Sequence, residues 1–219
     1  MKLYYAPLST YCMKALMALH EKGVAFDPRF VNPMDAEAWG KYCRLWPIGK
    51  IPLLELDNGQ LFPEATVIAE YADRLSANGP RLVPEDPDAA LEVRLQDRLM
   101  DHYLNDQVVA LLFENRKPEA ERDPVLLERS ANRLDAMYQV MAGNLERRRW
   151  VAGDDFSLAD CAAAAGLFYA PRVHPFDGHS AIVEYWERLS ARPSFQRVAE
   201  EARPMVERFL AGPGAANSG

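Results

Sequence analysis

Apolar and polar positions repeat along this chain with two different periods, and the point where the period changes divides it in two. Lys2–Ala6 and Ala25–Val31 have the length and composition of short strands. Between them, Ser9–Lys22 carries Cys12, Ala15, Leu16 and Leu19 on one side of a predicted helix that Gly23 closes. Asp35–Arg44 reads as a short, irregular helix bearing Trp39 and Tyr42. Two further strands, Leu53–Leu56 and Gln60–Phe62, flank Asn58-Gly59, a pair suited to a tight hairpin turn. Glu64–Leu75 follows as a helix with Val67, Ile68 and Tyr71 facing inward. The order β-α-β-α-β-β-α predicts a parallel pair joined by a right-handed crossover, with an antiparallel hairpin added to it.

Beyond Ser76-Ala77-Asn78-Gly79-Pro80 the pattern is helical throughout. Asp86-Pro87 has the form of a helix start, an N-cap side chain followed by proline in the first turn. The run to about Asn115 places Leu91, Leu95, Leu99 and Tyr103 at helical spacing, and these are expected to be core. Pro124 to about Leu145 repeats the pattern with Leu126, Leu134, Met137 and Met141. Ser157 and Asp160 have the spacing of a capping box, with Phe156 and Cys161 as its hydrophobic staple. The segment Cys161-Ala162-Ala163-Ala164-Ala165-Gly166 has so little side-chain bulk that its helix must be packed closely on all sides, at the centre of the second half. Tyr185–Leu189 and Pro193–Glu200 belong to further helices, and Gly212–Gly219 is expected to be a disordered tail.

Length and charge narrow the functions open to such a chain. Its 219 residues suit two domains with a core each: 1–76, a linker 77–86, and 87–211. A hydrophobic fraction of 49% with 26% charged residues is ordinary for a soluble protein, and no stretch approaches a membrane span. The start, Met1-Lys2-Leu3-Tyr4-Tyr5, has no secretory character, so a cytoplasmic location is expected. A net charge of −7 argues against a nucleic-acid partner. The one basic cluster, Arg147-Arg148-Arg149, reads as dipole partners at a helix end. Three widely spaced cysteines and four histidines without a paired spacing suggest neither a disulfide framework nor a metal site.

The unusual stretch is Ile48-Gly49-Lys50-Ile51-Pro52-Leu53-Leu54. Proline begins a strand more readily than it occupies one, and an Ile-Pro bond here is a candidate for the cis form. The backbone N–H and C=O of Ile51 would then be left for a guest peptide. Glu64-Ala65-Thr66 opens a helix whose N-terminus suits a carboxylate.

In this order and spacing, Gly49-Lys50-Ile51-Pro52, Glu64-Ala65-Thr66, Gly153-Asp154-x-x-Ser157-x-Ala159-Asp160 and Ala191-Arg192-Pro193-Ser194-Phe195 resemble the soluble glutathione transferases over roughly Met1 to Leu210. The likeness is to a bacterial member of the serine-type, phi-like or zeta-like, classes. It implies an α/β thioredoxin-like domain that binds glutathione, an all-helical domain that forms the pocket for a hydrophobic electrophile, no metal, and a homodimer. By position, Ile51 and Pro52 would meet the cysteinyl part of glutathione, Glu64, Ala65 and Thr66 its γ-glutamyl end, and Lys50 and Lys41 its glycine carboxylate. Ala65 stands where many members have serine, with Thr66 a candidate to compensate.

The thiol of glutathione needs help to ionise at neutral pH, since its reference pKa is about 8.5. Ser9, at the start of the first helix, resembles the serine that donates its hydroxyl to the sulfur; its alternative role is a plain N-cap. Thr10 and Tyr11 are further donor candidates. Cys12 is the candidate of a different chemistry, a mixed disulfide with glutathione, although its period turns it to the core. Tyr103, Gln107, Leu111, Phe168, Tyr169 and Arg172 are expected to line the electrophile pocket. The reactions implied are conjugation, or a related ether cleavage, dehalogenation or isomerisation. The same fold would also serve as a non-catalytic binding protein, or as a Cys12-dependent thiol transferase.

Overall fold

The computed structural model describes residues 1–210; the tail expected over Gly212–Gly219 lies outside them. The first half is built from β1 (Lys2–Tyr5), α1 (Thr10–Glu21), β2 (Asp27–Phe30), α2 (Ala36–Leu45), β3 (Leu53–Glu55), β4 (Leu61–Pro63) and α3 (Ala65–Leu75). The strands form one sheet in the order β2-β1-β3-β4. β1 runs parallel to β2 and antiparallel to β3, and β3 pairs antiparallel with β4, as the sequence predicts. Asn58 closes the hairpin by accepting the N–H of Gln60 at 2.9 Å, and Gly59 supplies the positive φ of 83°.

Alternation along the strands gives the sheet two unlike faces. Leu3, Tyr5 and Leu54 face the main core, while Tyr4 and Leu53 meet Val31, Tyr42 and Trp39 in a small cluster that includes α2. The helical half comprises α4 (Pro87–Leu99), a π-helical segment (Met100–Asn105), α5 (Asp106–Asn115), α6 (Pro124–Leu145), α7 (Leu158–Tyr169), α8 (Ser180–Ser190) and α9 (Pro193–Leu210).

The second half is centred on α7, as its composition predicts. Residues Leu158 through Leu167 are all buried. A Cβ at Gly166 would lie 2.7 Å from Cγ of Leu104, so only glycine lets the π-helical segment approach this closely. Ser157 and Asp160 form the capping box, and the buried carboxylate of Asp160 also accepts from Val151 N–H at 3.1 Å and Tyr185 O–H at 2.8 Å.

Four expectations are corrected. Val67, expected on the inward face of α3, is 44% exposed, although Ile68 beside it is fully buried. The stripe Leu91, Leu95, Leu99 and Tyr103 is not core: Leu91 is 67% exposed and Tyr103 50%, with Leu99 only partly buried. The buried face of that helix is Ala90, Val93, Gln96, Asp97, Met100, Asp101 and Leu104, whose polar members interrupt the hydrophobic signal. Arg147–Arg149 lie past the end of α6, and Arg148 pairs with Glu92 of α4 instead of the helix terminus. Finally, the halves do not hold separate cores. One continuous cluster runs from Leu3 through α1, α3, α4 and α7 to Val206, and α1 is buried on nearly every side.

The segment between the halves is pinned. Asp73 of α3 accepts the N–H groups of Leu82 and Val83, at 3.0 and 3.3 Å, and pairs with the buried Lys22 at 3.0 Å. Leu82 in turn accepts the N–H of Leu158 at 2.9 Å.

Candidate functional site

Ser9 is the N-cap of α1 and remains partly exposed. Its Oγ accepts the N–H of Cys12 at 3.4 Å. A hydroxyl has one donor besides its two lone pairs, and the Ser9 hydroxyl also faces the buried Cys12 thiol, where its hydrogen bond opposes the rise that burial imposes on that group. The cap and the donor are therefore compatible roles for one side chain.

The neighbours of Ser9 are differently placed. Thr10 is buried. Tyr11 gives its hydroxyl to Asp106 at 2.7 Å, and burial together with that carboxylate pushes its pKa far up. Cys12 is fully buried, and burial pushes its thiol up to about 12. A thiol held protonated inside the core cannot exchange with a disulfide, so the Cys12-dependent alternative loses its chemical basis. From the helical half, Tyr169 holds the same loop, its hydroxyl donating to the Leu8 carbonyl at 2.9 Å.

Across the sheet, the Ile51–Pro52 peptide bond is cis, as the sequence suggests. Ile51 itself makes no backbone hydrogen bond among the described residues, and the hydroxyl of Tyr42 anchors the preceding carbonyl, that of Lys50. Glu64 stands before α3 with φ 74° and ψ 121°, the only non-glycine residue of positive φ among those described. Such a conformation costs on the order of 1–3 kcal/mol and clusters at functional sites. Nothing in the sequence signals it. Glu64 is exposed and its carboxylate makes no cap bond, so the first N–H groups of α3 point outward unpaired.

The other expected contacts are less gathered. Lys50 is exposed, and Lys41 pairs with Glu37 on its own helix at 2.6 Å. The Thr66 hydroxyl is not free to replace a missing serine: it donates to Asp97 at 2.9 Å and accepts from Lys14 at 2.8 Å. Ala65 is buried and offers only its backbone N–H.

That bonding of Thr66 exposes a cluster the sequence reading missed. Lys14, in the middle of α1, is 1% exposed and meets Asp97 at 2.5 Å and Asp101 at 2.8 Å, with Arg98 closing the group from the surface. Burial pushes the Asp101 carboxyl up, and Lys14 is the main force against that rise. The available signal was a single lysine inside the run Cys12–Leu19, together with two acids one turn apart, Asp97 on α4 and Asp101 in the π-helical segment.

The residues expected to line a second pocket divide. Tyr169 reaches the Ser9 loop, and Tyr103 is on the surface. Leu111 fills the core, and Gln107 turns back to the His102 carbonyl at 2.9 Å. Arg172, just past the end of α7, turns back onto that helix and donates to the Phe168 carbonyl at 2.7 Å, while Phe168 packs against Tyr169 and Phe195. Asp106 and His102, 3.3 Å apart beside Tyr11, are polar groups the sequence reading did not place here. The described residues contain no cluster of His, Cys, Asp and Glu arranged to hold a metal ion, and no helix long and apolar enough to cross a membrane.

Comparison with known proteins bears on both halves. Residues 3–80 match the family described as glutathione S-transferase, N-terminal domain, and residues 99–193 the glutathione S-transferase C-terminal domain. Glutathione S-transferase 3 of Zea mays is 30% identical over 210 residues, covering 90% of this chain and 92% of its own. An uncharacterised GST-like protein of Escherichia coli, YibF, is 28% identical, with 90% and 97% covered. A glutathione S-transferase of Methylobacillus flagellatus, solved with GSH bound, superposes with a TM-score of 0.82 at 29% identity, over 90% of this chain and 98% of that one. These matches make the chain a member of the glutathione S-transferase family.

Proposed function

We propose that this protein is a serine-type glutathione transferase of bacterial, phi-like or zeta-like character that joins the glutathione thiolate to a hydrophobic electrophile. The observation that carries the proposal is Ser9. Its hydroxyl caps α1 on a partly exposed residue, whereas Thr10 and Cys12 are buried and Tyr11 is committed to Asp106. Ser9 then acts as an oriented donor to the sulfur, neither nucleophile nor base. Lowering a thiol pKa by two units takes about 2.7 kcal/mol, within reach of one charge-assisted hydrogen bond beside a helix N-terminus.

Glutathione lies with its cysteinyl amide on the open backbone of Ile51, next to Pro52, and its γ-glutamyl carboxylate on the N–H groups of α3 at Ala65 and Thr66. The exposed Glu64 side chain is placed for the α-ammonium, and Lys50 and Lys41 for the glycine carboxylate. The thiol proton leaves to solvent, the sulfur forms a bond to the electrophilic carbon, and the leaving group departs with its electron pair. Ether cleavage, dehalogenation and isomerisation use the same activated sulfur. On this reading 1–76 is the glutathione domain, 77–86 the linker and 87–211 the substrate domain, in a detoxifying cytoplasmic enzyme.

Assembly as a homodimer is part of the proposal. Val67 of α3 and Leu91 and Leu95 of α4 are exposed near the Arg94–Glu70 pair that joins the two helices at 3.0 Å. An apolar strip on adjacent helices suits a second copy of the chain. Light scattering of the purified protein should give twice the chain mass, and a monomer at micromolar concentration would exclude the dimer.

The test of the activity is Ser9→Ala, followed by calorimetric titration with glutathione and an aryl halide conjugation assay. Removing one such donor typically slows turnover by about 100-fold or more. Glutathione binding should persist. Unchanged turnover would remove Ser9 from the mechanism, and absent binding at millimolar glutathione would favour a non-catalytic role for the fold.

A further inference from the structure

A cavity of about 590 Å³ whose lining does not include Ser9 opens between the C-terminal end of α1, the β2 edge and α9. Its size falls in the range of small-molecule sites, roughly 300–1,000 Å³. The ring of Tyr5 is buried and Val24 and Phe26 are half-buried, so part of the wall is apolar and aromatic beside about as much polar surface. His20 lies against Phe26, their rings 6.1 Å apart. Burial, and then the charge of Arg197, push the His20 imidazole down to about 4, which leaves it neutral near pH 7.

The formal charges at this cavity are therefore one positive and one negative, Arg197 and Glu201, both exposed and both on α9. Four residues apart, they are neighbours on one helix face and would ordinarily pair with each other. They do not pair here. Glu201 turns inward to accept the Tyr5 hydroxyl, and Arg197 has no ion-pair partner among the described residues.

We propose that this cavity binds a small zwitterion with an apolar body, most simply a free aromatic amino acid. Its carboxylate meets Arg197, its ammonium meets Glu201, and its ring lies on the wall formed by Tyr5, Val24 and Phe26. A plain carboxylate would gain Arg197 but face Glu201, and a plain amine would gain Glu201 but face Arg197. Only a ligand carrying both charges turns the two residues to advantage together. Charge-assisted hydrogen bonds of this kind supply orientation, and the ring supplies burial.

The experiment is calorimetric titration of the full chain in saturating glutathione, which keeps the Ser9 side occupied. The probes are L-phenylalanine, phenylpropionate, which lacks the ammonium, and phenylethylamine, which lacks the carboxylate. L-phenylalanine should bind saturably, with each truncated probe weaker by about tenfold, the equivalent of about 1.4 kcal/mol. Arg197→Gln and Glu201→Gln should each weaken L-phenylalanine by a similar factor. Both residues are exposed, and glutamine at 201 still accepts the Tyr5 hydroxyl, so the variants should fold. The proposal is overturned by the absence of saturable binding at millimolar L-phenylalanine. It is also overturned by phenylpropionate binding as tightly as L-phenylalanine, or by affinities that neither variant changes.

Discussion

Replacing Lys14 by methionine should destabilise the protein strongly at neutral pH and much less in mild acid. The ammonium is 1% exposed, hydrogen-bonds Asp101 and Thr66 at 2.8 Å and pairs in charge with Asp97 at 2.5 Å. Methionine matches the length of the side chain and leaves little cavity. What it removes is the counter-charge. Breaking a buried ion pair from one side costs about 3–5 kcal/mol, because the remaining charge stays desolvated. Arg98 offsets part of that for Asp97 and Asp101, which puts the expected loss near the lower end of the range. The Asp101 carboxyl is already raised by burial, and losing its main opposing charge raises it further. A carboxyl whose folded pKa lies above its unfolded one penalises the fold as pH rises, and the penalty disappears when both states are protonated. The assay is equilibrium urea unfolding of wild type, Lys14→Met, and Lys14→Met combined with Asp101→Asn, at about pH 7 and about pH 5. The single variant should lose about 3 kcal/mol at the higher pH, recover partly at the lower, and recover partly in the double variant. A loss below about 1 kcal/mol at neutral pH, the scale of a surface pair, would refute the reasoning. So would a loss that neither acid nor Asp101→Asn relieves.

Two further outcomes follow from features of the backbone and core. Burial raises the Asp160 carboxyl from 3.8 to about 6, so its contribution should make the fold less stable as pH climbs through that window and level off above it, an effect of about 3 kcal/mol. The stability difference between wild type and Asp160→Asn should carry that slope, and a difference independent of pH would contradict it. Glu64→Gly should raise the unfolding free energy by about 1 kcal/mol, since relief of the positive φ outweighs the added chain entropy of glycine. It should also weaken glutathione, whose proposed ammonium partner is lost. An unmoved or lowered denaturation midpoint would show that the backbone at residue 64 is not strained.

What the sequence made legible was local chemistry. Asn58-Gly59 gave the hairpin, Ser157 and Asp160 the cap of α7, and the alanine run its burial, because each follows from a few adjacent residues. Ser9 was visible for the same reason, as a capping residue at a helix start. The error on α4 shows the limit of pattern. Leu91, Leu95, Leu99 and Tyr103 made a cleaner stripe than the true inward face, which contains Gln96, Asp97 and Asp101. The two acids are buried because Lys14 and Thr66 meet them from the other half, and no period within one helix reveals a partner more than 80 residues away, as Lys14 is from Asp101. The φ of Glu64 was hidden as well, since strain is imposed by surroundings and leaves no mark on residue type.

The pinned connection between the halves limits how this chain can be divided or recombined. A fragment ending near Gly79 would lose the backbone groups of Leu82 and Val83 that Asp73 holds, and would present to water the side of α1 that now meets α7. Its complement would lack the helix that closes its own interior. A chimera made by exchanging one half for that of a relative would inherit a mismatched seam unless Lys14, Thr66, Asp97 and Asp101 travelled together. The two halves are thus a co-adapted pair, and substrate range is free to diverge only at residues that this seam does not use.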